Sequence, residues 1–456
     1  MDISEYYKNQ NIKDRIYEFM GGAEHIVGYG EYELLKKKPQ PYYSAAMSDL
    51  NSMLEKGLDI LRSMLGNYGT MISLDVEYYN TKNPAEVYLN PEAIFKNKLQ
   101  PVREIIKEIY GNYNISYIEV ITGQGYHYHS MWPFRNEHSQ LEEIGQLEPT
   151  LKEQYFHRES RLGYKNVPVY KGLGFSGAFR LLQFITLEII NEAGKKRKIN
   201  KNILPIQFCD IEMSPPGGIS LDLSIYSDPI YMRAIRVPFG TNQKHKVNKK
   251  KLGEQIVENI PIQINLPITD LSLDTILKIR RDFQMAIDYA KEPKTKCIIP
   301  DLNIGWLNVL SKYKNSKLYE FHKEFDSKEF EKESDWDKTY YAFKLNELPP
   351  CVQFSIANPE PHIKKPTNIR TIISILNKKG WSFKDIGGFL FSRFKNLAEF
   401  ASNKYNAETR ASFFAQLYGA PLYLGLDKKM DLNCISHQEI GYCIRPWCGY
   451  NLSWWR

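Results

Sequence analysis

The chain has no uninterrupted apolar run long enough to cross a bilayer. Its best stretch, Leu181–Ile190, is broken by Gln183 and Glu188, and a span needs roughly twenty apolar residues. The opening segment, MDISEYYKNQNIKDRIYEF, lacks the apolar core of a secretory signal. Six cysteines in 456 residues give no disulfide framework, and no internal repeat is visible. Large excess charge is also missing: the formal balance of +7 permits a polyanionic partner without demanding one. These absences argue against an integral membrane protein, a disulfide-stapled secreted domain and a solenoid, and the expectation is an intracellular protein.

What is present is ordinary bulk with unusual local patterning. A hydrophobic fraction of 43% and a charged fraction of 25% suit a globular chain of two or three domains. In Met71–Glu77, MISLDVE, the residues Ile72, Leu74 and Val76 share one face of an extended segment, and Ser73, Asp75 and Glu77 share the other. The two carboxylates would stand about 6.6 Å apart. At an effective dielectric of about 20 they would repel by roughly 2.5 kcal/mol, which a divalent metal relieves. Ile219–Ile225, ISLDLSI, repeats the pattern around Asp222. If the two strands pair, three carboxylates converge, the inventory for two Mg²⁺ or Mn²⁺ ions. An exposed strand face that happens to carry acids is the plain alternative for either stretch alone.

Elsewhere the periodicity predicts a mainly helical region over 1–70, including a helix at Met47–Leu65, then a helix at Pro101–Tyr110 and a strand at Ile115–Thr122. Phe179–Asn191 and Thr275–Ala290 read as helices, Ile206–Ile211 as a strand, and Lys317–Lys338 as a charged linker or solvent-exposed helix. Thr367–Leu376 is helical, and Ser382–Asp385 resembles a capping box ahead of Ile386–Phe394. The fold class is α+β, with mixed or antiparallel sheets flanked by helices and a mainly helical, loop-rich C-terminal domain. The expected division is 1–295, a linker at 296–344, and 345–456.

Two further stretches carry candidate chemistry. ITGQGYHYHSMWPF at Ile121–Phe134 supplies Gly123 and Gly125, which let backbone approach a ligand, and places His127 and His129 on one extended face. RAIRVPFGTNQKHK at Arg233–Lys246 offers Arg233, Arg236 and Lys244 for triphosphate charge. The basic runs Lys195–Lys201 and Lys244–Lys251 read by default as solvated loops, with phosphate contact favoured for the second.

The ordered set of Asp75 and Glu77, Thr122–His127, then Asp222 with Arg233, Arg236 and Lys244 resembles the archaeo-eukaryotic primase superfamily. The stretch Asp222–His245 is notably similar to archaeal primase catalytic subunits. The resemblance implies a catalytic primase domain in which Asp75, Glu77 and Asp222 ligate Mg²⁺ or Mn²⁺, and His127, Arg236 and Lys244 bind the incoming nucleotide. It implies a cytoplasmic protein of a prokaryotic or archaeal cell, acting on single-stranded DNA template, nucleoside triphosphates and an RNA or DNA primer; whether a helicase joins it stays open. The sequence departs from the family at Gln124 and, with only Cys209 and Cys297 before the charged stretch, has no Cys/His zinc knob in its catalytic part.

Cys351, Cys434, Cys443 and Cys448 resemble the iron–sulfur domain of a primase large subunit, where one early Cys after a proline meets three late ones. The late spacing is more compact than usual, so zinc held by four thiolates is an alternative to [4Fe–4S]. The expected activity is primer synthesis by template-dependent nucleotidyl transfer. A gap-filling polymerase of the same superfamily would share every catalytic residue. A replication-initiator endonuclease would instead use His127-Tyr-His129 as a metal site and leave the acids unexplained, and a noncatalytic nucleic-acid-binding protein would leave them idle.

Overall fold

The structure is a computed structural model, and it describes all residues except 31–41, 81, 136, 153–167, 209–216, 228–233, 302–303, 363–365, 398–405, 427–432, 440 and 456. Among the described residues the strands, in chain order, are β1 (Ile26–Tyr29), β2 (Tyr42–Ala45), β3 (Asp59–Ser63), β4 (Gly69–Tyr79), β5 (Ile118–Ile121), β6 (Gly125–Pro133), β7 (Ile206–Gln207), β8 (Gly218–Leu221), β9 (Ala234–Arg236), β10 (Thr241–Asn242), β11 (Gln263–Ile264) and β12 (Leu266–Pro267). The chain folds into two compact units with interleaved segments. Met1–Leu141 and Met232–Leu307 build the first; Glu142–Arg161, Lys165–Tyr231 and Asn308–Arg456 build the second. The mixed α+β class with antiparallel sheets is as expected.

In the first unit, β4 is the longest strand. Its apolar positions Leu74 and Val76 are fully buried while Asp75 and Glu77 alternate outward, as the period-two pattern requires. It pairs antiparallel with β6, which pairs with β5, which pairs with β12. The helix Gln100–Tyr113 buries Val102, Ile105, Ile106 and Ile109, and the Tyr110 ring meets Tyr128 of β6 edge-on at 5.7 Å. A second antiparallel sheet runs β2-β1-β3-β9.

That second sheet corrects the reading of 1–70 as mainly helical. Met47–Leu65 is helical only through Leu50–Glu55; Gly57 then takes φ +65, and β3 follows. All five residues of β3 are buried, so the strand shows no polar alternation and its apolar residues merge with those of the helix before it. Thr275–Ala290 likewise resolves into two helices, Leu273–Ile279 and Phe283–Ala290, the second capped by Asp282 accepting the Met285 N–H. Ile219–Ile225 is extended only through Leu221 before a 3₁₀ turn at Ser224–Tyr226.

The second unit is mainly helical, with β7 and β8 as a short parallel pair. The predicted Phe179–Asn191 helix extends to Val169–Ile199; it is long and apolar enough to match a membrane span, yet 78% of its most apolar window is buried inside the protein, as suits a core helix. The stretch expected as a linker or exposed helix forms Lys317–Asp326, an amphipathic helix that buries Leu318, Phe321, His322 and Phe325. Its charged residues hid the apolar stripe at i, i+3, i+4 and i+7. Ser382 caps Phe383–Phe394 by accepting the Asp385 N–H. Lys384 of that helix reaches Glu148 at 2.9 Å and lies over the rings of Phe325 and Phe330, so this buried charge is paired and ringed by π faces.

A hydrogen-bonded chain crosses this helical core. Arg180 forks onto Asp326 at 2.7 and 2.8 Å. The Tyr313 hydroxyl lies 2.7 Å from Nδ1 of His322, whose Nε2 lies 3.0 Å from Gln183 Oε1. Gln183 Nε2 donates to the Gln416 carbonyl, which fixes the amide and makes His322 the donor at Nε2 and the acceptor at Nδ1. Burial, then the Arg180 charge, holds His322 well below its usual value of 6.5. The unfolded chain therefore takes up this proton first as pH falls, and the stability is present above pH 6.5 and lost below it. Urea denaturation should show stability falling by up to about 1.4 kcal/mol per pH unit from this group below pH 6.5. His322→Gln should flatten that slope; an unchanged slope would show that His322 is not the titrating group.

Candidate functional site

The candidate site grows from the β4–β6 register. Asp75 stands directly opposite His127, Ser73 opposite His129, and Glu77 opposite Gly125. The period-two alternation puts the side chains of Ser73, Asp75, Glu77, His127 and His129 on one face of the sheet. Gly125 is needed because a Cβ there would run into the Val76 carbonyl of β4, and a Cβ at Gly123 would meet the Asn242 side chain at 2.7 Å. Both glycines thus serve strand and loop packing within the protein, where the sequence suggested approach to a ligand.

The acids are faced by an imidazole, an ammonium and a guanidinium from three separate segments. His127 Nε2 lies 3.2 Å from Asp75 Oδ1, an ion-pair distance without hydrogen-bond alignment, and this buried carboxylate oxygen has no aligned donor among the described residues. Lys244 Nζ donates to Glu77 Oε1 at 2.9 Å. Burial raises the Asp75 carboxyl, but His127, Lys244 and Arg236 outweigh it and hold the group below its ordinary range. Burial lowers the Lys244 ammonium, and the Glu77 charge more than reverses that, so the pair is charged. Arg236 completes the group from β9, with its guanidinium 5.2 Å over the Tyr29 ring.

Asp59 is the positioning residue that the sequence reading missed. Its carboxylate accepts the Gln243 N–H at 2.8 Å and the Thr241 hydroxyl at 2.7 Å, and stands 3.9 Å from Arg236. Tyr7 supports the same loop, its hydroxyl accepting the Thr241 N–H. Burial lifts the Asp59 carboxyl to about 6 against the pull of Arg236, Gln243 and Thr241. The loop leading into Lys244 is therefore fastened to β3. The available signal was a lone acid inside the apolar run Leu58–Leu65.

Of the predicted site residues, the structure brings Asp75, Glu77, His127, Arg236 and Lys244 together in the first unit. Arg233 lies outside the described residues. Asp222 belongs to the second unit, just past the end of β8 rather than in mid-strand, where its Oδ1 accepts the Ser224 N–H at 2.8 Å. His129 lies behind His127, the two rings edge-on at 5.4 Å, and is fully buried, with Nδ1 2.8 Å from Ser73 Oγ and its ring also edge-on to Phe19.

The four late-chain cysteines gather in the second unit. Cys351 sits in the first turn of the helix Pro350–Ala357, Cys434 opens the helix Cys434–Glu439, and Cys443 and Cys448 lie in the turns beyond. All four line one small pocket with His437 and Arg445. The thiols of Cys434 and Cys448 both contact the Tyr450 carbonyl, and the Leu452 N–H donates to Cys434 Sγ at 3.3 Å. Burial, then the other three cysteines, pushes the Cys351 thiol up to about 12. Among the described residues no three His, Cys, Asp or Glu side chains form a ready-made metal cage; the four sulfurs share a cavity. Cys297 is elsewhere, buried with its thiol on the Thr295 carbonyl, and Cys209 is outside the described residues.

The different surroundings of the two histidines give opposite expectations for truncation. His129→Ala should open a cavity and strand Ser73, lowering stability by about 2–4 kcal/mol. His127→Ala should cost under about 1 kcal/mol, because it also releases a poorly aligned contact. Chemical denaturation of both variants checks this, and equal losses would contradict the separation of roles.

In comparisons with known proteins, the chain matches no family model and no curated protein.

Proposed function

We propose that the protein is a primase or primase-polymerase, a template-dependent nucleotidyltransferase that makes primers on single-stranded DNA. The observation that carries this reading is the convergence of Asp75, Glu77, His127, Arg236 and Lys244 on one face of the first unit. A strand face bearing two acids needs counter-charge, and a surface salt-bridge network would supply it with any nearby lysines. Here the counter-charge is of a kind suited to a triphosphate: an imidazole, a guanidinium over an aromatic ring, and an ammonium fixed by a fastened loop.

In this reading Asp75 and Glu77, joined by Asp222, hold Mg²⁺ or Mn²⁺. Their hard oxygen donors suit those ions, and Asp75 Oδ1 is a buried oxygen awaiting an aligned partner. When bound, the ions lower the pKa of the attacking hydroxyl and neutralise the leaving pyrophosphate. Lys244, which donates to Glu77 here, would be available to a phosphate oxygen if that carboxylate held a metal ion. His127 keeps a nitrogen directed at the same place, and Arg236 supplies fixed positive charge beside it. The endonuclease alternative would use both imidazoles, whose rings meet edge-on at 5.4 Å, but it leaves the Asp75 and Glu77 carboxylates and the Lys244 and Arg236 cations facing them without a role.

The cysteine cavity supports a metal site in the second unit. Four thiols around one space, with a backbone N–H already directed at one sulfur, fit either [4Fe–4S] or zinc. We favour iron–sulfur on the resemblance, and assign Cys351, Cys434, Cys443 and Cys448 as ligands that help to begin a primer.

Labelled nucleotide incorporation on single-stranded and primed templates tests the catalytic reading. Asp75→Ala and Asp222→Ala should each lower incorporation by at least about 10³-fold in protein that still folds; strand nicking in place of incorporation would replace this reading with the endonuclease.

The metal assignment is tested apart from activity. Anaerobically purified protein should carry iron and sulfide and be brown, and Cys→Ser variants should lose the colour and impair initiation more than extension. Colourless protein with one stoichiometric zinc would overturn iron, and absence of either metal would overturn the site.

A further inference from the structure

Arg280 takes no part in the group of cations that faces Asp75 and Glu77, yet it is the least compensated buried charge near them. It follows the helix Leu273–Ile279 and is only 1% exposed. The groups acting most strongly on its charge are Arg281, Tyr126 and Tyr88, none of them a carboxylate. Burial, then the Arg281 charge, pushes the guanidinium down to about 9. Among the described residues its Nε and Nη1 find no hydrogen-bond partner. A buried cation with neither counter-ion nor full hydrogen bonding is costly, and a group kept at that cost calls for an explanation.

The two hydrogen bonds that Arg280 does donate both leave from Nη2. One reaches the Thr122 carbonyl at 2.5 Å and the other Gln263 Oε1 at 2.7 Å. Thr122 opens the turn into β6, its N–H donating to the Gly125 carbonyl, and His127 comes two residues after Gly125. Gln263 stands opposite Asn242 in the β10–β11 ladder. The Asn242 side chain in turn accepts the Lys244 N–H at 3.2 Å, and it packs so close to Gly123 that a Cβ there would lie 2.7 Å from its Nδ2. The base of the fork is held as well. The Arg280 carbonyl accepts the Ile264 N–H at 2.8 Å, and the guanidinium lies 5.3 Å over the Phe95 ring. One nitrogen therefore joins the turn that leads to His127 with the strand pair that leads to Lys244.

We propose that Arg280 is a positioning residue of the proposed nucleotide site, setting the spacing between the turn before His127 and the loop before Lys244. An imidazole and an ammonium that serve one triphosphate must be spaced to it, so an error in that spacing weakens both contacts together. Asp59 ties the Lys244 loop to β3; Arg280 ties it to the entrance of β6. A planar guanidinium can lie on Phe95 while one nitrogen serves two acceptors, whereas a lysine would bring a point charge without the ring contact. The functional half of this inference rests on reading the Asp75 face as a nucleotide site, and the clamp itself does not.

Hydrogen exchange on the full chain, with neither nucleotide nor divalent ion, reads the clamp apart from activity. Arg280→Ala should speed exchange about 10-fold in both 122–127 and 242–246, with the helix Gln100–Tyr113 unchanged. Gln263→Ala is the milder variant: it leaves the Thr122 bond in place and should loosen 242–246 alone. In incorporation assays Arg280→Ala should raise KM for the nucleoside triphosphate about 10-fold and lower kcat by less than about 3-fold, and Arg280→Lys should recover part of the loss. Unchanged exchange in 242–246 of Gln263→Ala would overturn the proposal. So would faster exchange spread evenly over the first unit in Arg280→Ala, or a loss confined to kcat. Wild-type protein that incorporates no nucleotide, while Arg280→Ala still loosens both segments, would instead remove the nucleotidyl-transfer reading and keep the clamp.

Discussion

Nine consecutive residue pairs join β4 to β6, from Gly69–Pro133 to Glu77–Gly125, and this ladder sets the position of every candidate group on the two strands. Because strand side chains alternate, a slip of one residue would turn Asp75 and His127 into the core and bring Leu74 and Tyr126 outward. Burial forbids that slip. Leu74 and Tyr126 are fully enclosed, and Gly125 fits only where the Val76 carbonyl crosses it. The same constraint that packs the sheet therefore places an imidazole opposite a carboxylate without any further device.

Two carboxylates held by such a ladder cannot move apart, so charge compensation has to come from groups that can adjust. Lys244 and Arg236 arrive from a stretch far along the chain, and both are referred back to β3 through Asp59 and its hydrogen bonds to Thr241 and Gln243. The arrangement has a rigid acidic half and a cationic half with long side chains. A lysine on a four-carbon stem can exchange one anion for another at small cost, whereas an aspartate in mid-strand cannot. On the proposed reading, Lys244 and Arg236 would turn to the nucleotide's phosphates while the carboxylates stayed fixed.

The elements that sequence disclosed best were those with one buried and one open face. β4 has that alternation, as does the helix Gln100–Tyr113, and Ser382 announced its helix through a local cap. Where burial is two-sided the signal vanishes: β3 is enclosed throughout, so Leu58, Ile60 and Leu61 read as a continuation of the preceding helix. Asp222 illustrates a different limit. Ile219, Leu221, Leu223 and Ile225 are all buried, as an unbroken strand predicts, yet the backbone turns at Leu221 and the Asp222 side chain accepts the Ser224 N–H. A tight turn can satisfy the same burial pattern as a strand, and only the backbone hydrogen bonds distinguish them. Within the site, the acid pair and His127 were legible from alternation, while the roles of Asp59 and Tyr7 were not, since each acts across more than 180 residues of sequence on the loop before Lys244.

The cysteine-bearing end of the second unit is built on a different principle from the β4–β6 site. Its turns contribute few buried side chains, Tyr442 and Leu452 being the main ones, and helices as short as Cys434–Glu439 are marginal by themselves. Apolar packing is thus a weak source of order there. Hydrogen bonds to the His437 carbonyl and to Cys434 Sγ define the turns, and the shared cavity of four thiols joins them to the helix Pro350–Ala357. A metal bound by those thiols would close a loop of more than eighty residues between Cys351 and Cys434, removing unfolded-state freedom that the small core cannot offset.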